Sequence, residues 1–200
     1  MKDSAKTNNQ SGLEIDLNLR ETDNHKLNGM SYSFFVDVYK NSSYIPHWHD
    51  EFEVVYVKKG SIRMYINSNE YSLEEGDGAF INSCTVHNYE SGVADMECVM
   101  PNVLFGAAII SGYDELLYEK YLKPIVETPD FSHIIFRAKN AEQQSCVDLI
   151  KQTCELLENT GYGYELKVRA LISELILAIN LMSELDNATA DGNSDSKINM

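Results

Sequence analysis

Pro46-His-Trp-His-Asp-Glu-Phe-Glu53 is the densest polar cluster in a region that otherwise reads as strand. On an extended backbone, residues two apart face the same side. His47 and His49 therefore share a face, and Glu53 keeps their parity if the strand is regular. Two imidazoles and a carboxylate on one face are three metal ligands. His87, which follows the strand and turn Gly76-Asp-Gly-Ala-Phe-Ile-Asn82, is a fourth candidate. Three His and one carboxylate suit a divalent transition metal such as Zn, Ni, Fe or Mn, or Cu, with positions left open for water or ligand. The same four groups also suit a metal-free polar interior that hydrogen-bonds an effector, so no cofactor is required.

Short strands recur on both sides of this cluster. Ser33–Tyr39, Phe52–Val57, Ile62–Ile66, Tyr71–Leu73 and Ala79–Ile81 are rich in Val, Ile, Phe and Tyr. Turn clusters separate them: Asn41-Ser-Ser43, Lys58-Lys-Gly60, Asn67-Ser-Asn69, Glu74-Glu-Gly-Asp-Gly78 and Asn82-Ser83. Such punctuation predicts an antiparallel sandwich or barrel. Upstream, Leu13-Glu-Ile-Asp-Leu-Asn-Leu19 alternates with period two and predicts a short half-buried strand. The polar stretch 1–12 reads as a frayed tail.

Beyond Gly112 the period becomes helical. Leu116, Leu117, Tyr121 and Leu122 fall at helical spacing, a pattern that Pro124 is expected to end. Phe131–Phe136 reads as one more strand. A helix over 141–158 carries Cys146, Leu149, Ile150, Cys154 and Leu157 on one side. Gly161 and Gly163 break it from a second helix over 164–185. There Val168, Leu171, Leu175, Ala178 and Met182 form one stripe, and Ile172, Ile176 and Ile179 an adjacent one. That sector is wider than docking on a single surface needs. Either the helix is buried between barrel and neighbour, or one stripe meets a second copy of the chain. On the latter reading Val168, Leu171, Leu175, Ile176, Ile179 and Met182 are the dimerisation candidates. Trp48, on the opposite parity from His47 and His49, is expected to pack outside the barrel against a helix. His25 and His133 stand in no motif and read as surface or strand-edge residues.

Two motifs in these stretches match a known pattern. His47-x-His49-x-x-x-Glu53, then six residues and Gly60, resembles the first cupin motif throughout its length. Gly76-Asp77 with His87 resembles the second, departing from it at Asn82 (usually Pro), Cys84 (usually Gly) and Ser91 (usually Asn). More narrowly, His47–Gly60, Gly76–His87 and the later Tyr118-Glu-Lys-Tyr-Leu-Lys-Pro124 are similar to the sensor domain of AraC-type transcription regulators. The resemblance covers roughly residues 30–185. It implies a mainly β fold with C-terminal α structure: a cupin jelly-roll barrel followed by antiparallel helices. It also implies a small-molecule effector in the barrel (a carbohydrate, by family habit), homodimerisation through the helices, and signalling to a C-terminal helix-turn-helix domain that binds DNA. The expected organisation is a tail and movable arm at 1–28, an effector-binding barrel at 29–137 and a helical dimerisation segment at 138–185. A polar, acidic linker at 186–200 would lead toward the absent DNA-binding domain.

Composition narrows the function. The 200 residues hold 31 acidic and 16 basic side chains, a formal charge of −15. A phosphate backbone is gripped by a surplus of Lys and Arg, so DNA contact is expected only through the missing domain. No apolar run approaches the ~18 residues of a membrane span, and residues 1–10 lack the apolar core of a secretory signal. The four cysteines form no C-x-x-C pair, and Cys146 and Cys154 read as small core residues. Reduced thiols and a cytoplasmic setting follow. A non-enzymatic regulator is the leading reading. The alternative is a small metal-dependent cupin enzyme, an oxygenase or isomerase using the same His47, His49, Glu53 and His87.

Overall fold

The computed structural model describes residues 15–21, 31–128 and 130–192. Eight strands form two antiparallel sheets: β1 (Tyr32–Tyr39), β2 (Phe52–Tyr56), β3 (Ser61–Ile66), β4 (Asn69–Glu74), β5 (Gly78–Ile81), β6 (His87–Ser91), β7 (Cys98–Phe105) and β8 (His133–Phe136). One sheet has the order β1-β7-β2-β5-β8 and the other β4-β3-β6. This is the cupin-like double-sheet arrangement that the two motifs imply.

Parity divides each strand of the larger sheet between two cores. Val55 on β2, Ala79 and Ile81 on β5 and Met100 on β7 point inward and meet Ile62, Met64, Ile66 and Leu73 of the smaller sheet. Phe52 and Val54, Phe80, and Val103 and Phe105 point outward into a second core with the helices. Buried on both faces, β2 reads as a continuous apolar run broken only by Glu53, which lies on the inner parity. The β3–β4 hairpin turns at Asn67 and Ser68, both at positive φ, as a two-residue turn that matches strand twist requires.

After β7 come α1 (Ala108–Ser111), α2 (Glu115–Leu117), a π-helical turn at Tyr118–Leu122 and α3 (Lys123–Glu127). The Asp114 carboxylate caps α2 by accepting from the backbone N–H groups of Leu116 and Leu117. Pro124 does not end this helical run as its sequence position suggests. It sits in the first turn of α3, where its missing N–H has no obligatory partner. Then follow α4 (Gln144–Glu158) and α5 (Tyr164–Gly192). The break between them uses Gly163 at φ +80. Cys146 and Cys154 lie in the core with Val147, Ile150 and Leu157.

Three expectations are corrected. The helix α5 runs past Leu185 to Gly192 and so enters the stretch read as linker; residues 193–200 lie outside the described residues. The stretch Ile15–Glu21 is not a strand but a tight turn closed by a bridge between its ends. Asp16 accepts there from the backbone N–H groups of Asn18 and Arg20, and Leu19 takes φ 65. Local side-chain capping overrides the apolar alternation. Trp48 packs on this turn rather than on a helix. Its indole N–H donates to the Asn18 carbonyl at 2.9 Å, and the Arg20 guanidinium stacks 5.4 Å from the ring centre. The tail 1–12, and His25 with it, lie outside the described residues. His133 lies on β8, an edge strand, as expected. No helix among the described residues is long and apolar enough to cross a membrane.

Candidate functional site

The backbone brings two distant histidines side by side. His47 donates its N–H to the His87 carbonyl at 3.0 Å, and His87 returns one to the His47 carbonyl at 2.9 Å. Such a closed antiparallel pair puts both side chains on one face, and the ring centres are 4.4 Å apart. His49, two residues on, joins them at 5.2 Å from His87. The second motif is held in place by its departures from the cupin pattern. Cys84 takes φ 57, the conformation its usual Gly would adopt. Asn82 donates to the carbonyls of Ile125 and Phe131 at 2.8 and 2.7 Å, tying this turn to α3 and to the stretch that leads into β8.

Each imidazole is oriented in the same way. Nδ1 lies 3.0 Å from the Ile45 carbonyl in His47, 3.0 Å from the Glu51 carbonyl in His49 and 2.9 Å from the Thr85 carbonyl in His87. A carbonyl only accepts, so each Nδ1 carries a proton, and Nε2 is the ring nitrogen left to meet a cation or the Glu53 carboxylate. The ligand atoms of the three rings lie within 4.8 Å of one another, and all three residues are buried. Glu53 completes the set. Its Oε2 is 2.9 Å from His87 Nε2 and 3.4 Å from His49 Nε2, and its Oε1 accepts from the Tyr89 hydroxyl at 3.0 Å.

His87 Nε2 is buried and has no aligned hydrogen-bond partner among the described residues. A nitrogen lone pair facing a carboxylate is repulsive; a proton or a metal cation between them makes the contact attractive. Burial opposes charge on His87, yet the Glu53 carboxylate outweighs it and raises the His87 pKa. Burial would likewise raise Glu53, but His87 and His49 hold its carboxyl well below the usual range. His47, desolvated and beside His87, is pushed down to about 3 and stays neutral. Three buried imidazoles, each with Nδ1 tied to a carbonyl, beside a buried carboxylate are a donor set that fits a divalent cation.

The cavity over these groups is small, about 30 Å³. Its further walls include Glu21, Asp37, Tyr39, Tyr44, Tyr89 and Asn102. Asp37 accepts from the Asn102 amide at 2.8 Å. Burial first, then the nearby Glu53 charge, pushes its carboxyl up to about 7.

Residues 35–176, from β1 well into α5, match the model of the AraC-like ligand binding domain. The chain belongs to that family. It is 26% identical over 158 residues to YdeC of Bacillus subtilis (strain 168), described as an uncharacterized HTH-type transcriptional regulator. That match covers 77% of this chain and 53% of the relative, so the chain spans about half the relative's length. Among solved structures, a cupin 2 conserved barrel domain protein from Leptotrichia buccalis is 18% identical, with a TM-score of 0.36 over 38% of this chain and 36% of its own. A cupin protein from Bacteroides fragilis is 14% identical, with a TM-score of 0.36 over 39% and 68%.

In this AraC-like ligand binding domain, His47, His49, Glu53 and His87 converge. Glu21 and Asp37 also face the cavity, and sequence reasoning missed both. Asp37 alternates with Phe35 and Tyr39 on the inner parity of β1, a signal that was available. Glu21 follows an irregular turn and gave none. The six dimerisation candidates do not share one exposed face. Val168, Leu175, Ile176 and Ile179 are buried in the chain's own helical core, because α5 packs on α4, on α1 and on the π-helical turn. Leu171 and Met182 are half-buried, while Leu166, Leu177 and Leu181 are the large apolar residues exposed among the described side chains of the helix.

Proposed function

We propose that the chain is the effector-binding and dimerisation part of a cytoplasmic AraC-type transcription regulator. Its effector reaches His47, His49, Glu53 and His87 inside the barrel, and DNA is bound by a helix-turn-helix domain outside this chain. The observation that carries the reading is the buried donor set in a domain of this family: three clustered imidazoles and a carboxylate, of which His47, His49 and Glu53 line a cavity with Tyr39, Tyr44 and Tyr89. A divalent transition metal held by the three Nε2 atoms and Glu53 would supply a charged anchor for an effector oxygen. At about 30 Å³ the cavity holds an ion and a water, well short of the ~300 Å³ of common ligand sites. An effector of sugar size therefore enters only when a wall moves, and that movement is the signal available to a second domain.

The same donor set favours a second reading, a metal-dependent oxygenase or isomerase. One experiment separates the two. The chain and its Glu53→Gln and His87→Ala variants are screened by thermal shift against neutral sugars and sugar acids. A compound that raises the melting temperature of the parent alone, and is recovered unchanged, supports the sensor. Consumption of that compound replaces the sensor with the enzyme.

A further inference from the structure

Glu21 is outside both motifs, yet its carboxylate side chain is only 6% exposed and lies 3.8 Å from His47 Nε2. The segment that carries it is attached to the strand that carries the ligands. Glu21 donates its N–H to the Trp48 carbonyl at 2.8 Å, and Trp48 returns its own to the Leu19 carbonyl at 2.9 Å. Arg20 stacks on Trp48 and pairs with Asp50. Residues 47 to 50 thus bind the ligand cluster on one side and residues 15–21 on the other.

The lining of the cavity points the same way. Glu21, Asp37 and Glu53 line it together with His47 and His49. Glu53 flanks His49 and His87, and Glu21 flanks His47, so the two carboxylates approach the imidazole trio from different sides. Donors each ~2.1 Å from one ion sit ~3.0–3.5 Å apart in octahedral or tetrahedral geometry. The contacts at 2.9, 3.4 and 3.8 Å are within a small adjustment of that spacing.

We propose that Glu21 is an additional metal ligand, so that one divalent ion binds the barrel histidines and the 15–21 segment together. Metal loading and docking of this segment are then a single event. The inference rests on the metal-holding part of the reading above. It goes further in placing one donor on the segment that closes the cavity, which makes the metal a clasp as well as an anchor.

The test uses Zn²⁺, with Mn²⁺ in parallel, on chelator-stripped protein without a His-tag. Trp48 is the only tryptophan and touches the segment, so its emission reports docking. Trypsin cleavage at Arg20–Glu21 reports it independently. The parent is expected to bind one ion by calorimetry, to change Trp48 emission along the same isotherm and to slow cleavage at Arg20. Glu21→Gln is expected to bind at least 10-fold more weakly and to lose both responses to metal, each variant being compared with and without the ion. His49→Ala is expected to lose metal binding itself. If Glu21→Gln matches the parent in affinity and in both responses, the clasp is overturned and the barrel site stands. If the parent binds neither ion, the metal site and the clasp both fall, while a metal-free effector pocket survives.

Discussion

At the scale of single residues, the four motif donors were legible because strand parity and turn spacing are local properties. Glu21 was not, since only tertiary docking brings it to His47. The motif glycine gives the sharpest test. Gly60 has φ +80, and an added Cβ would sit 2.4 Å from the Glu97 carbonyl oxygen, a backbone atom that cannot step aside. Gly60→Ala is expected to cost about 2–3 kcal/mol by denaturant melts. Gly161→Ala, with nothing within 4 Å, should cost under about 0.5 kcal/mol. Equal effects would refute this account of Gly60. Asp37 gives a pH test in stripped protein. Its carboxyl is near 3.8 in the unfolded chain and about 7 when folded. Between those values the native state binds more protons, so this group's contribution to stability falls as pH rises through the window. Asp37→Asn removes that loss. Its melting temperature should exceed the parent's by several degrees at pH 8, on the order of a few kcal/mol, with much less difference at pH 4. A gain that is the same at both pH values would show that packing, not ionisation, is responsible.

At the scale of elements, the strands were readable because each is a short β-rich run closed by turn residues, and β8 was found where Phe131–Phe136 reads as strand. Two errors have the same origin. Period alone does not separate a strand from a turn capped by its own Asp16, and Pro124 marks a helix start as readily as a helix stop. The apolar breadth of α5 was legible, and both stripes read from it are buried or half-buried in the chain's own core. One wide sector is consumed by α4, α1 and the π-helical turn, and the large apolar residues left exposed among the described side chains are Leu166, Leu177 and Leu181. Leu175→Glu places a charge at a residue 2% exposed and should destabilise the fold by about 3–5 kcal/mol. Leu181→Glu, at 52% exposed, should stay within about 0.5 kcal/mol of the parent. Sedimentation then reports assembly. A dimeric parent is expected to become a folded monomer as Leu181→Glu or Leu177→Glu. If both variants remain dimers, the contact lies on another surface; if the parent is monomeric, dimerisation by this chain is refuted.

At the scale of the whole molecule, charge sets what the domain can touch. An excess of 31 acidic over 16 basic side chains gives −15, and much of the basic minority is already engaged. Arg20 pairs with Asp50, Lys58 with Glu158, Lys59 with Glu97, Arg63 with Glu90, and Arg137 with Asp77. Affinity for duplex DNA grows with the number of phosphates a protein neutralises, each releasing a condensed counterion. A surface of this sign releases none and is repelled over the screening length, ~10 Å at 0.1 M salt. The chain alone should therefore leave the anisotropy of a labelled duplex unchanged at about 10 µM protein and low salt, where weak non-specific binders already associate. Adding Zn²⁺ should not alter this, because an ion inside the barrel adds little to a deficit of this size. A salt-dependent rise in anisotropy would mean that a basic face forms despite the net charge. The proposed division of labour between a sensing barrel and a separate DNA-binding domain would then fail.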